Sequence, residues 1–180
     1  HDFSTSAAVG ADDVALAVFN PVYANGLVKC DTDAAIAAND AKIGIVACGV
    51  STAYALEALS VIESKAAAAG VELPAYRFMQ VGTPFPFPTE RVAAFAQGLE
   101  RILVLEELDY VIEDELLRFA GRTKASYDVL GKQTGDTRAR GENDVDDIEA
   151  RLLNFFGLSE LAADDSAPVD TVDLPVRPPV

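Results

Sequence analysis

KIGIVACGVSTAYALEAL, Lys42 to Leu59, decides the fold. Ile43, Ile45 and Val46 form a short β-branched run that Gly49 closes, the pattern of a buried strand. After Gly49 the period changes. Leu56, Leu59, Ile62 and Ala66 recur at helical spacing to about Ala69, and Gly70 stops the repeat as glycine does at a helix C-terminus. Ser51 is placed to cap this helix. A strand that turns at glycine into an amphipathic helix is the first half of a βαβ unit.

The unit recurs downstream. AYRFMQVG reads as a second strand reaching about Val81. TPFPFPTE, Thr83 to Glu90, alternates proline with phenylalanine, so the chain there is extended or turning. Thr89 is a candidate N-cap for a helix through Glu100, with Val92, Phe95 and Leu99 on one face. RILVLEEL is the third strand. Ile112, Leu116 and Phe119 stripe the next helix, about Tyr110 to Ala120. SYDVLGK is a short fourth strand, and DVDDIEARLLNFFG is an amphipathic helix through Val145, Ile148, Leu152 and Phe155. Residues 41–157 therefore read as an α/β domain, a three-layer αβα sandwich around a mostly parallel sheet. Residues 1–40, Ala- and Asp-rich with a short strand candidate in VALAVFNPVYANGLV, read as a connecting segment. Residues 158–180 read as an acidic, Pro/Ala-rich tail. No internal repeat is present.

Composition narrows the function. Among 180 residues, 14 basic side chains face 29 acidic ones, a net charge of -15. A field of that sign repels nucleic-acid backbones and anionic lipid, so neither is an expected partner. No apolar run approaches the roughly 20 residues needed to cross a bilayer. HDFSTSAAVGADD lacks the basic and apolar regions of a signal peptide. It also lacks an initiator Met, from which the chain is expected to be a cut-out from something longer or a processed product. Cys30 and Cys48 have no CxxC spacing, so a disulfide framework or cysteine metal site is not expected, and free thiols suit the cytoplasm. The single His is residue 1, which argues against histidine-based chemistry.

The candidate sites are weighed against plain structural roles. Gly44 and Gly49–Val50–Ser51 have the glycine spacing of a P-loop, but Val50 stands where its Lys belongs. Gly49 and Ser51 still form a possible anion turn at a helix N-terminus; a strand-to-helix turn is the simpler reading. Glu106 and Glu107 end the third strand, where α/β sheets place ligand crevices. Neighbours on a strand point to opposite faces, so the two do not share a proton. Asp109 is placed to cap the next helix, and Glu113, Asp114 and Glu115 are expected in solvent near its positive end. One or two carboxylates without a phosphate hold magnesium poorly. No catalytic residue and no metal ligand is assigned. Pro84, Phe85 and Pro86 lie in a rigid loop that packs Phe85 and Phe87 on the core or on a neighbouring domain; a polyproline ligand is the other reading. Cys48 is expected to be an inert buried thiol. Asp144, Asp146, Asp147 and Glu149 lack EF-hand spacing and read as helix N-terminal charge.

Several segments line up in order: KIGIVACGVSTAYALEAL, FMQVGTPFPFPTERVAAFAQGLERILVLEEL, DYVIEDEL, and VLGK followed by GENDVDDI. In this the chain resembles the alpha subunits of indolepyruvate:ferredoxin oxidoreductases, of the 2-oxoacid:ferredoxin oxidoreductase family, over roughly residues 41–157. The similar part is their transketolase C-terminal-like domain. The matching positions are Gly49 and Tyr54; Gly82, Pro84, Pro86 and Pro88; Glu106 and Glu107; Ile112 and Glu113; Gly131 and Lys132; and Gly141 and Glu142. Two features depart from the pattern. The turn between Lys132 and Gly141 is longer and more polar, and Asn143 stands where an apolar residue is usual.

The resemblance implies a parent enzyme that decarboxylates an aryl 2-oxoacid on thiamine diphosphate with magnesium. It would pass electrons through [4Fe-4S] clusters to ferredoxin and release an acyl-CoA. Implied partners are flanking cofactor-binding domains of the same chain and a second oxidoreductase subunit. This stretch contains no Gly-Asp-Gly…Asn diphosphate segment and no Cys-rich run, so the cofactor chemistry is expected outside it. The domain itself would be a non-catalytic scaffold and interface, with Glu106, Glu107, Pro84, Phe85 and Pro86 as contact or active-site-closing candidates. The alternatives are a free-standing flavodoxin-like anion-binding or regulatory module, with the anion at Gly49–Ser51, and a pure assembly domain working through the Pro84–Pro88 loop.

Overall fold

A computed structural model describes residues 40–82 and 84–162. The connecting segment up to residue 39, its strand candidate, and the tail from residue 163 lie outside the described residues. Four strands form one sheet: β1 (Ile43–Cys48), β2 (Tyr76–Val81), β3 (Arg101–Leu105) and β4 (Asp128–Leu130). The order is β2-β1-β3-β4, and every pairing is parallel. β1 is paired on both sides, with Ile45 level with Phe78 of β2 and Leu103 of β3.

The two-residue period of a strand assigns the side chains to layers. Ile43, Ile45 and Ala47 of β1, with Leu103 and Leu105 of β3, pack against helices α1 (Val50–Ala69) and α4 (Val145–Phe156). Val46, Ile102 and Val104 point the other way, onto helices α2 (Thr89–Ala96) and α3 (Val111–Thr123). Right-handed crossovers explain this split. The chain steps from β1 to β2 in one direction, then through α2 and α3 to β3 and β4 in the other, so α1 lies on the face opposite α2 and α3. The expected αβα sandwich is what forms, and the sheet is wholly parallel.

Several local expectations change. α2 ends at Ala96 rather than running to Glu100. Gly98 adopts φ 77°, open mainly to glycine, and Leu99 folds back so that its Cδ1 lies where a side chain on Gly44 would be, 2.6 Å from an added Cβ. The buried Arg77 guanidinium donates to the carbonyls of Phe95 (2.8 Å) and Gln97 (2.7 Å), closing that helix end. Cys48 is only half-buried, because it stands at the very end of β1. Beyond α4, Leu158 and Leu161 pack back on the α1/α4 layer through a short 3₁₀ turn, Ser159–Leu161, so packed structure continues past residue 157. Among the described residues no helix is long and apolar enough to cross a membrane.

Candidate functional site

β1 and β3 are neighbours whose connections leave in opposite directions, so their carboxyl ends flank the point where open α/β sheets form a crevice. Three carboxylates gather there, and each is turned inward. Glu106 continues the alternation of Ile102 and Val104 and so faces α3. Its two oxygens accept the first free amides of that helix, from Ile112 N (2.8 Å) and Glu113 N (3.1 Å). A buried side chain from the preceding strand thus caps α3. Asp109, expected in that role, stays exposed.

Glu107 faces the opposite layer, as the strand period requires. Its Oε1 accepts from Ser51 Oγ (3.4 Å) and Asn143 N (3.3 Å). Asn143 then reaches back, donating Nδ2 to the Glu106 carbonyl (3.2 Å) and to Ser51 Oγ (3.4 Å). Ser51 does not cap α1: it lies inside the first turn, Gly49 takes the cap position, and the hydroxyl is turned toward Glu107. The Gly49–Ser51 turn thus already has a carboxylate beside it.

Glu113 was expected in solvent, and the structure corrects this: it is 1% exposed. Its carboxylate accepts from Lys132 N (2.8 Å) and Gln133 N (3.1 Å) in the turn after β4. Glu113 fills the space left by the missing side chain of Gly131, where an added Cβ would lie 2.6 Å from Oε2. The long polar loop is tied down further along. Lys132 Nζ donates to the Arg138 carbonyl (3.0 Å), and the Arg138 guanidinium meets Asp147 Oδ1 (3.0 Å). Asp144, read from the sequence only as helix N-terminal charge, caps α4, accepting from Asp147 N (2.7 Å).

Burial is the main cause that raises the Glu106 carboxyl pKa above its usual range, outweighing the two amides, with the Glu113 charge adding to it and Lys132 opposing. The Cys48 thiol is also raised, first by burial and then by the charge of Glu106. Among the described residues no group of three or more His, Cys, Asp or Glu is placed to hold a metal ion. With their oxygens given to backbone amides, these carboxylates join loops to one another.

Several large apolar side chains are exposed at the same end of the sheet. Val50 after β1, Phe85 after β2, and Leu108, Tyr110 and Val111 after β3 are all exposed. Phe85 is 86% and Leu108 81% exposed. Leu108 also holds φ 57°, a left-handed conformation that costs a branched side chain about 1–2 kcal/mol. The Pro84–Pro88 loop divides: Phe87 and Pro88 are buried, whereas Phe85 and Pro86, joined by a cis peptide, face outward and Pro84 is half-buried. Of the carboxylates that end β3 and open α3, sequence reasoning missed the burial of Glu113 and the capping of α3 by Glu106 in place of Asp109. Asn143 and Arg138, which organise the loop, were also missed. Gly131, a glycine with no positive φ to demand it, was the available signal for Glu113.

A family model described as the indolepyruvate oxidoreductase domain matches residues 33–149. The indolepyruvate oxidoreductase subunit IorA of Methanothermobacter thermautotrophicus is 32% identical over 141 residues, 78% of this chain and 21% of that protein. The subunit of the same name from Thermococcus kodakarensis is 41% identical over 81 residues, 45% of this chain and 11% of the relative. That of Pyrococcus abyssi is 39% identical over 93 residues, 52% and 13% respectively. At most, the chain spans about a fifth of the length of these curated relatives. No solved structure matches the chain at the same stringency.

Proposed function

Because the chain belongs to the indolepyruvate oxidoreductase domain family, we propose that it is the non-catalytic scaffold and interface domain of a larger oxidoreductase, transketolase C-terminal-like in type. The parent enzyme would use thiamine diphosphate and magnesium to decarboxylate an aryl 2-oxoacid, pass electrons through [4Fe-4S] clusters to ferredoxin, and release an acyl-CoA. The observation that carries the interface reading is the apolar rim at the carboxyl end of the sheet. Large exposed apolar side chains that follow three neighbouring strands at one end of the sheet suit a contact surface. The left-handed Leu108 strengthens it, since a strained residue that points outward needs a reason. The proposed occupant is the remaining, cofactor-bearing part of the longer chain.

The residues here fit the cofactors poorly. Cys48 is the one thiol among the described residues, and a four-iron cluster takes four. Glu106 and Glu113 have their oxygens on backbone amides. No step of the chemistry is therefore assigned to this domain. An anion at Gly49–Ser51 would meet Glu107 through Ser51, which weighs against the flavodoxin-like alternative.

Two measurements test the proposal. The protein purified from its native source is expected to be a chain several times longer that contains iron and thiamine diphosphate. In that enzyme, Phe85→Asp with Leu108→Asp is expected to lower assembly and turnover at least tenfold, while the melting temperature of the 180-residue chain stays within about 2 °C, as for surface changes. A native chain of about this size without cofactors would overturn the parent-enzyme reading. Unchanged assembly and turnover in the double variant would overturn the interface.

A further inference from the structure

The loop that joins β3 to α3 holds a residue whose type and conformation disagree. Among the described residues six glycines adopt positive φ, and only two other residues do. Lys124 is one of the two, and its left-handed turn closes α3, with its amide on the Ala120 carbonyl. Leu108 is the other. It closes no helix, it packs on neither core cluster, and it is 81% exposed. A glycine or an asparagine would take this conformation at lower cost.

The loop is nevertheless held firmly. Among the described residues no backbone hydrogen bond reaches Leu108 or Asp109. The ties come from the two side chains that precede Leu108. Glu106 accepts the amides of Ile112 and Glu113 beyond the loop, and Glu107 accepts from Ser51 Oγ and Asn143 N. These ties fix the backbone without using the leucine side chain, so the fold alone does not explain why residue 108 is a leucine. Strain that the surroundings hold in place is characteristic of functional contacts, and a side chain presented in advance loses less freedom on binding.

We propose that Leu108 is the anchor of the interface, a preformed outward side chain that enters an apolar pocket on the remaining part of the parent chain. This rests on the interface reading above and names its central contact. The chain spans 21% of the Methanothermobacter thermautotrophicus relative, so most of a parent of that length lies outside it and can supply the pocket. Tyr110 and Val111, half-exposed next along the chain, would form the shoulder around the anchor.

Leu108→Gly, with Leu108→Asn as a second variant, tests this in two settings. In the 180-residue chain either change should raise the melting temperature by about 2 °C, because strain is relieved. In the full-length enzyme the same changes should weaken the contact. The amides of Asp109 and Tyr110 have no acceptor among the described residues. They should exchange with solvent at least tenfold more slowly in the enzyme than in the 180-residue chain, and either variant should remove about tenfold of that protection, as burial of one leucine predicts. Opposite signs in the two settings are the signature. Amides no better protected in the enzyme would sink the interface itself; amides protected there but indifferent to residue 108 would sink only the anchor. A lower melting temperature in the 180-residue chain would mean that Leu108 supports its own loop, which also overturns the proposal. So would self-association of that chain abolished by the variants, since the pocket would then belong to a second copy. A native chain no longer than this one would overturn the parent reading and the anchor together, and its mass shows this before any variant is made.

Discussion

Two acidic runs in this chain look alike as sequence and differ in what they do. Asp144, Asp146, Asp147 and Glu149 open α4, and Asp144 caps it locally, three residues from its partner amide. Glu106, Glu107, Asp109, Glu113, Asp114 and Glu115 run into α3 in the same way. There the cap comes from Glu106, six and seven residues upstream, while Glu113 leaves its helix to hold a turn 19 residues downstream. At the start of α4 only the exposed Asp144 serves the helix in this local way, while Asp147 reaches Arg138 of the preceding loop and the buried Glu149 meets Lys65 of α1. A carboxylate where several parallel strands end meets the free amides of several loops, and becomes the joint between them.

The largest expected effect falls on that joint. Glu113→Ala strands the amides of Lys132 and Gln133 without acceptors, and each buried donor left unpaired costs about 1–3 kcal/mol. A total loss of about 3 kcal/mol, read by urea unfolding, is expected. Gly131→Ala should cost about 2 kcal/mol, because its Cβ displaces the same carboxylate. In a Glu113→Ala background that second change should cost under about 0.5 kcal/mol, since the clash is gone. Additive losses would mean that Gly131 is there for some reason other than Glu113.

Glu106 gives a smaller effect with a distinctive pH dependence. Its carboxyl is raised in the folded state, so that state holds the proton more tightly than the unfolded chain does. The contribution is therefore complete below the ordinary carboxylate value and is lost as pH rises through the folded one. The stability of the unaltered chain relative to Glu106→Gln is expected to decline across that window and to be flat on either side. A difference that grew with pH instead would mean that the α3 amides, and not burial, dominate at this carboxylate.

Much of the architecture was legible before the structure. β1 to β4, the parallel sheet and the opposed faces of Glu106 and Glu107 all follow from local period, because a strand buried on both faces has little freedom in what it displays. What escaped was decided by distant partners. Nothing near Glu113 says that the turn after β4 lacks a side chain at Gly131. Arg77 is buried in β2 because the end of α2, 18 residues on, offers it carbonyls. The helix through Val92 and Phe95 stops early because Gly98 turns and Leu99 is needed against Gly44, a packing fact with no periodic signature. The Pro84–Pro88 loop was read as one unit, yet Phe87 goes to the core and Phe85 to the surface.

The smallest effects test the comparison most directly. Asp144→Ala removes a side-chain cap and should cost about 1 kcal/mol. Asp109→Ala, at the position that looks equivalent, should cost under about 0.5 kcal/mol, because Asp109 is exposed and Glu106 already holds the first free amides of α3. What little Asp109 contributes is its charge near the positive end of the helix, a part that salt screens. The Asp109→Ala difference should therefore vanish in about 1 M NaCl, where the Debye length is about 3 Å, while most of the Asp144→Ala difference, a hydrogen bond, persists. Equal, salt-resistant losses at both positions would mean that α3 is capped locally in solution, and that the burial of Glu106 has some other cause than the helix it faces.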